Sequence, residues 1–329
     1  MNIHTVARPY AQALDGRAWL ELGLTMALYA AGLALALSSI GTWWLMLPGM
    51  VIAAAMGLRA YMILHDCMHR SFFTSRRLND VVGTLLSVVA MTPYQATRYI
   101  HNQHHTHVSD LDHRDSFEIY TMTLKEWEAA SPGQRLRYRL YRSPVTLILI
   151  GPFLLYTVLR RVPSYGLKTG IGDLVLHNAM VAGYFGLVWW LAGWPGIAVL
   201  LGAVYIACVF GAIIPYVVHN FETIHCGVKP ELDFRTAALE GSAVLDWGGA
   251  FDLLTMNIGY HDLHHLIAKI PGYRLKTAYQ ELERLGLIDS EKIGFVEGIK
   301  CLRWKLYDED RGRMVPFPPA RAGVAVPAE

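Results

Sequence analysis

The sequence predicts an all-α integral membrane protein: four transmembrane helices arranged as two hairpins, with a cytosolic cap rich in histidine. Three observations point there. The chain of 329 residues is 53% hydrophobic and only 17% charged, where soluble domains carry about 25% charged residues. Its long apolar stretches come in two close pairs, and most of its 14 histidines gather in short clusters. The apolar content excludes a disordered chain. A balance of 29 basic against 27 acidic residues, a net charge of +2, gives no footing for nucleic acid. Cys67, Cys208, Cys226 and Cys301 lie far apart with no C-x-x-C pair. That excludes a disulfide framework or a thiolate metal site and fits a reducing compartment.

Residues 18–38 carry one charge, Glu21, near their start. As a helix they rise about 31 Å, enough for a hydrocarbon core of about 30 Å. Residues 42–63 follow after a short turn, with Arg59 near their far end, so the two segments fold back as a hairpin. Residues 172–192 and 195–218 repeat the design. Asp173 and His177 interrupt the third span, and Pro215 is expected to kink the fourth. Residues 81–92 and 145–159 are apolar but too short to span, and read as in-plane or re-entrant segments. The turns at 39–41 and 193–194 hold no Lys or Arg, and every basic residue except Arg59 lies outside the spans, on the opposite side. This positive-inside asymmetry predicts a multi-pass protein of the cell inner membrane with both termini in the cytoplasm. Trp43, Trp44, Trp189, Trp190 and Trp194 flank the two turns as an interfacial belt. The first apolar stretch is too long for a signal-peptide core and lacks a small-residue cleavage site. With no fixed-period repeat and no detachable linker, residues 1–329 read as a single domain, and the Pro/Ala-rich stretch 316–329 as a loose tail.

His65 and His69 stand four residues apart at the cytoplasmic end of the second span, so both rings share one helix face. His101, His104 and His105 repeat that spacing at i, i+3 and i+4, as do His261, His264 and His265. His219 lies just past the fourth span. By the topology above, all nine emerge on one membrane side. Neutral imidazole is a common metal ligand, and nine candidates exceed the three or four protein ligands of one zinc, which implies two metals. Imidazole suits Fe, Zn, Cu and Ni alike. The zinc-protease signature H-E-x-x-H is absent, and Glu222 with His225 alone has the Glu-x-x-His form of soluble di-iron bundles. His4, His107, His113, His177 and His225 read as surface groups, as hydrogen-bonded groups or as partners behind a ligand, with His107 and His225, because of their neighbours, the first candidates for exceptions. Asp66, Glu222 and Asp262 flank ligand candidates and read as acceptors for the second N–H of a metal-bound imidazole, or as solvated acids. Asn257, four residues before His261, reads as sharing its face or as a turn residue.

In order and separation, these clusters (H-x3-H, H-x2-H-H, H-x2-H-H) resemble the three histidine boxes of the membrane fatty acid desaturase family, in particular its bacterial acyl-lipid branch. The resemblance extends to HDCMHRSFF at 65–73, LNDVVG at 78–83, YRLYRSP at 138–144, YVVHNFE at 216–222 and NIGYHDLHHLIAKIPGY at 257–273. It covers residues 45–280 or so, leaving 281–329 as a cytosolic tail. The resemblance implies four helical spans and a cytosolic cap holding two irons, with His65, His69, His101, His104, His105, His219, His261, His264 and His265 as ligands. It further implies O2 as co-substrate and removal of hydrogens from two adjacent carbons of a fatty acyl chain.

That acyl chain would be carried as phospholipid, acyl-CoA or acyl carrier protein. Electrons would come from a separate ferredoxin or cytochrome b5-type protein, drawn to the basic cytoplasmic side. An unactivated C–H bond offers no acid–base handle, so the hard chemistry must sit on the metal. The protein would hold the chain in an apolar tunnel under the cap. Met68 stands where the family commonly has Gly and reads as bordering that tunnel. Val218, Asp262 and Ala268 also depart from the common pattern. These departures leave open a hydroxylase, acetylenase or 1-alkene-forming decarboxylase on the same scaffold. A histidine-rich metal transporter or a membrane zinc hydrolase are readings from other classes; a transporter would place its ligands inside the spans.

Overall fold

A computed structural model describes residues 2–116, 119–162 and 167–319. The tail expected to be loose lies outside the described residues from 320 onward. The chain is mostly helical. After the short α1 (Ile3–Ala7) come two long apolar helices, α2 (Asp15–Ser38) and α3 (Trp43–Met68). At 24 and 26 residues, each is long enough to cross a bilayer. Small residues let them touch. A Cβ on Gly32 would fall 2.8 Å from the Ala53 nitrogen, and one on Gly49 would fall 2.6 Å from the Ala36 nitrogen. Gly32 with Ala36, and Gly49 with Ala53, are small residues one turn apart, the spacing by which apolar helices pack closely in lipid. Gly41, at φ +91°, supplies the left-handed turn between them. Arg59 is the one basic residue in the expected spans. It is buried in an ion pair with Glu21 and also donates to Thr25 Oγ1 at 3.1 Å, so the charge is neutralised where it enters the apolar layer.

Two shorter helices follow, α4 (Arg76–Val89) and α5 (Tyr94–Thr106). Ser75 caps α4, which buries Asn79, Val82, Gly83, Leu86 and Ser87 and exposes Val81 and Leu85. Gly83 is required where the Tyr94 ring lies against it. Next come α6 (Leu124–Ala129) and α7 (Pro132–Tyr141), each opened by a capping box. Residues Val145–Ile150 form a π-helical turn that leads into α8 (Gly151–Thr157). Pro132–Tyr141 and Val145–Arg161 meet at 50°, the path of a broken span or a re-entrant loop.

The third long apolar element, α9 (Ile171–Val218), runs 48 residues but is interrupted at Gly193, whose backbone is non-helical. Val188 on one side of that break and Val199 on the other share a single core cluster with Tyr29 and Met50. Among the described residues, three helices are therefore long and apolar enough to cross a membrane.

The described residues after α9 fold as short pieces. They are α10 (Phe234–Glu240), β1 (Val244–Asp246), α11 (Gly249–Leu254), α12 (His261–Leu266), α13 (Gly272–Arg284), β2 (Lys292–Gly294), α14 (Phe295–Lys300), β3 (Leu306–Asp308) and β4 (Arg313–Val315). β1 pairs in parallel with β2, and β3 antiparallel with β4. These four three-residue strands are additions to the all-helical expectation. Runs this short carry no periodic signal in the sequence.

Residues 281–319 pack into the fold as well. Cys301, Trp304, Tyr307 and Met314 are buried in the same core as Ile63, Tyr94, Tyr216 and Val218. Arg142, fully buried, ties that segment down: its guanidinium donates to Asn220 Oδ1 at 2.5 Å, Trp304 O at 3.1 Å and Thr121 Oγ1 at 3.0 Å.

Candidate metal centre

Three helix ends and one cap bring the histidines together. His65 lies in the last turn of α3 and His69 is its C-cap. His101, His104 and His105 occupy the end of α5, His219 caps α9, and α12 consists largely of His261, His264 and His265. The nine rings fall into two groups. One contains His65, His69, His101, His105 and His264; the other contains His104, His219, His261 and His265. Each His–His doublet is split between them. Adjacent residues on a helix point about 100° apart, so His104 and His105 face different centres, as do His264 and His265. The doublets in the sequence are thus a device for serving two sites from one helix.

Within each group the nitrogens face one another. Nε2 of His101 is 2.9 Å from Nε2 of His69 and 3.0 Å from that of His105, which is 3.1 Å from that of His264. In the second group, Nε2 of His261 and Nε2 of His265 lie 3.1 and 3.2 Å from Nε2 of His219, and 3.1 Å from each other. Three nitrogens in such a triangle cannot all be satisfied by protons, since each contact needs one donor and one acceptor. A metal bound at about 2.1 Å sets neighbouring imidazole nitrogens roughly 3.0–3.4 Å apart. The residues present therefore fit a metal ion in each group.

Electrostatics favour the same state. Burial, followed by the neighbouring imidazoles, holds His105, His261, His264 and His265 well below the ordinary imidazole range. They are neutral, with lone pairs available for a cation. His219 donates from Nδ1 to the Gly241 carbonyl at 3.0 Å, which fixes its tautomer and leaves Nε2 bare toward the group. Gly241 is confined in turn: a Cβ there would fall 1.9 Å from Ser109 Oγ and 2.3 Å from Ala237 O.

The flanking residues behave differently from the sequence reading. Asp66 is buried, with Oδ1 3.8 Å from His65 Nδ1, and Oδ2 accepts the Gly272 N–H at 2.7 Å. It is the one of the three carboxylates beside a histidine nitrogen among the described contacts. Glu222 points outward instead, half-exposed, toward Arg313 at 3.4 Å and Arg303 at 4.0 Å. Asp262 is buried but accepts from Ser290 Oγ; burial pushes its carboxyl up to about 6. Asn257 is a turn residue. At φ +60° beside Met256 at +53°, it donates from Nδ2 to the Gly272 carbonyl at 2.7 Å. Gly272 is thus gripped on both sides, and a Cβ there would fall 2.3 Å from the Met256 carbonyl.

A cavity of about 340 Å³ opens beneath the histidines, within the roughly 300–1,000 Å³ typical of ligand pockets. Its wall includes His65, His101 and His261, one ring from each sequence cluster, and continues past Tyr61 and Gly57 to Ala53. Met68, expected on this wall, is not part of it. One turn beyond His65, it is buried in the core with Phe72 and Phe73. The sequence reading missed Gly272, Gly241 and Ser290 because their partners are remote in the chain. It also missed Arg160, which lines the cavity.

The fatty acid desaturase family model matches residues 41–288. The chain is 33% identical over 270 residues to a "Fatty acid desaturase" of Bacillus subtilis, covering 81% of this chain and 76% of that one. It is 25% identical over 298 residues to an "sn-1 oleoyl-lipid 12-desaturase" of Synechocystis, covering 85% and 80%. A chloroplastic "Omega-6 fatty acid desaturase" of Spinacia oleracea is 27% identical over 283 residues, covering 82% of this chain and 60% of the plant protein. With the family match spanning most of the chain and a relative above 30% identity, this protein belongs to the fatty acid desaturase family, whose members are oxidoreductases.

Proposed function

We propose that the protein is an O2-dependent di-iron desaturase that introduces a double bond into a fatty acyl chain at the cytoplasmic face of the inner membrane. The observation that carries this reading is the apolar cavity that meets one histidine from each of the three clusters. An acyl chain lying in it would pass the two histidine groups with one carbon pair facing them. Each group would hold one iron: His65, His69, His101, His105 and His264 in the first, and His104, His219, His261 and His265 in the second.

Bound there, the irons would supply the oxidising power to take hydrogens from unactivated carbons with O2. The protein's own groups would do the rest. Tyr61, Met62 and Leu58 would confine the chain and exclude water. The Gly241 carbonyl would hold His219 in the tautomer that binds through Nε2, and Asp66 would sit against the back of His65. Loss of two hydrogens from the chain, with O2, two electrons and two protons from outside, gives the alkene and two waters. The electrons call for a separate donor such as ferredoxin or a cytochrome b5-type protein.

In this reading the chain forms one domain with four spans. Gly193 breaks α9 into two spans, supported by the shared packing of Val188 and Val199, and the basic residues set the histidines on the cytoplasmic side. A metal path across the bilayer is disfavoured, since His177 in α9 is engaged by Ser87 and Arg161.

Lipid profiling of an expressing strain supplied with 18O2, together with metal analysis of the purified protein, tests the proposal. New double bonds without labelled oxygen in the product, and iron in the protein, are expected. Labelled hydroxyl product would point to a hydroxylase, a triple bond to an acetylenase and a shortened 1-alkene to a decarboxylase. Zinc in place of iron would overturn the reading.

A further inference from the structure

Helix α14 turns an apolar face outward. Phe295, Val296 and Ile299 are 61%, 57% and 55% exposed. They are as open as Leu24 of α2 and Leu191 of α9, at 52% and 60%, which sit on helices long and apolar enough to cross a membrane. Around the helix the three fall within about 100° of arc. Lys300 comes next, and Glu297 beyond it reaches the Lys300 ammonium at 3.6 Å. The opposite edge is fixed in place. A Cβ on Gly298 would fall 2.9 Å from the Trp247 ring, which also packs on Phe251 at 4.8 Å and meets Phe295 at 5.5 Å. α14 therefore cannot roll its apolar side inward without losing that contact.

The attachment of the helix says what covers this face. Leu302, on the same stripe after Ile299, packs against the core that contains Ile214 and Tyr216. The carbonyls of Cys301 and Trp304 accept from Tyr216 Oη at 3.5 and 3.3 Å. Tyr216 stands three residues before His219, about 4.5 Å back along α9 toward its apolar body. α14 thus joins the fold on the lipid side of the histidine layer. Lys300 is exposed, and so is Arg303, whose guanidinium lies 4.2 Å above the Trp304 ring. An apolar stripe flanked by cations is the pattern of a helix lying in a headgroup boundary.

We propose that α14 rests in the boundary of the bilayer that the long helices enter, with Phe295, Val296 and Ile299 among the acyl tails and Lys300 and Arg303 against anionic headgroups. The seat bears on the metal centre. The carbonyls of Cys301 and Trp304 also accept from Asn220 Nδ2 at 2.9 and 3.2 Å, and Asn220 adjoins His219. Lipid that steadies α14 therefore steadies the segment that holds the end of α9. This placement is independent of the reaction proposed above.

The test uses the full chain in vesicles of phosphatidylglycerol and phosphatidylcholine. Cys208→Ala removes the one described cysteine that is not buried. Single nitroxide labels are then attached through Val296→Cys, Ile299→Cys and, on the polar flank, Glu297→Cys. Labels at 296 and 299 should collide several-fold more with dissolved O2, relative to a water-soluble nickel complex, than the label at 297. Equal ratios at the three positions would place the face in water and overturn the proposal. Labels at 296 and 299 shielded from both reagents would overturn it too, since that is the result for a face covered by a second copy or by another protein.

Lys300→Gln with Arg303→Gln should move the label at 299 toward water in the anionic vesicles and leave it in place in phosphatidylcholine alone. No shift in the anionic vesicles would refute the headgroup contact. Ile299→Asp, at an exposed position, should raise trypsin cleavage after Lys300 and Arg303 several-fold while the rest of the chain stays protected. Unchanged cleavage there would refute the seat.

Discussion

Two sets of histidines in this molecule hold the same side chain in opposite settings. In the buried layer, nitrogens face nitrogens at 2.9–3.2 Å, and the carboxylate beside them among the described contacts is Asp66, 3.8 Å from His65 Nδ1. Outside it, His107 and His113 stack at 4.1 Å above Asp110. That carboxylate accepts from Asp112 N–H at 3.1 Å, lies 3.0 Å from His113 Nδ1 and 3.5 Å from His107 Nδ1, and has Lys229 at 3.7 Å. Burial alone would raise the Asp110 carboxyl, yet these hydrogen bonds hold it below its ordinary value. The outer group has acceptors, donors and charge in balance. The inner layer sets nitrogen against nitrogen at the spacing that a shared cation would impose. Spacing alone does not separate the two, since His107, Asp110 and His113 also follow one another at intervals of three; what separates them is what else is in reach.

The sharpest way to break this contrast is to remove one ligand from each inner group. His105→Ala and His265→Ala should each lower activity by more than about 100-fold, and each should remove one metal while sparing the other, as metal analysis would register. Chelation comes next. With metals bound well above their Kd, each site adds about 2.7 kcal/mol at a hundredfold excess, so stripping them should lower the unfolding temperature by several degrees. His113→Ala should leave that drop unchanged. Gly241→Ala, whose Cβ would meet Ser109 and Ala237, should displace the carbonyl that holds His219, costing about 10-fold in metal affinity or activity while the first group keeps its ion. Smaller again is Asp110→Asn, expected to cost about 1–3 kcal/mol of stability with metal content intact. His113→Ala, on a half-exposed ring, should fall within about 0.5 kcal/mol of wild type.

Much of the site is legible in the sequence. The nine histidines of the two groups can be picked out by helical spacing and by their place past the apolar segments, and the pairing of α2 with α3 follows from their length and short turn. What escapes is whatever depends on distant segments meeting. Glu222 stands three residues from His219 and turns to Arg313, and Asp262 sits inside a cluster and turns to Ser290. Both departures arise because side-chain direction is set by packing, which adjacency in sequence does not report. Met68 is one turn from His65 on α3, yet it packs into the core with Phe72 and Phe73 and is not among the residues that line the cavity. The last described segment, joined to the core by Arg142 across 162 positions, has too little periodicity to reveal that it is structural. Arg160 escapes for the opposite reason. A basic residue after an apolar stretch reads as an interfacial charge, and its place in the cavity wall depends on how α8 bends against α9.

The central claim is that two separate nitrogen groups each hold one iron, and metal analysis of the purified chain and its single-ligand variants tests it most directly. The account predicts two irons per chain, falling to about one in either His105→Ala or His265→Ala and unchanged in His113→Ala. A wild-type chain that desaturates with a single metal, or a His113→Ala chain that loses one, would contradict it.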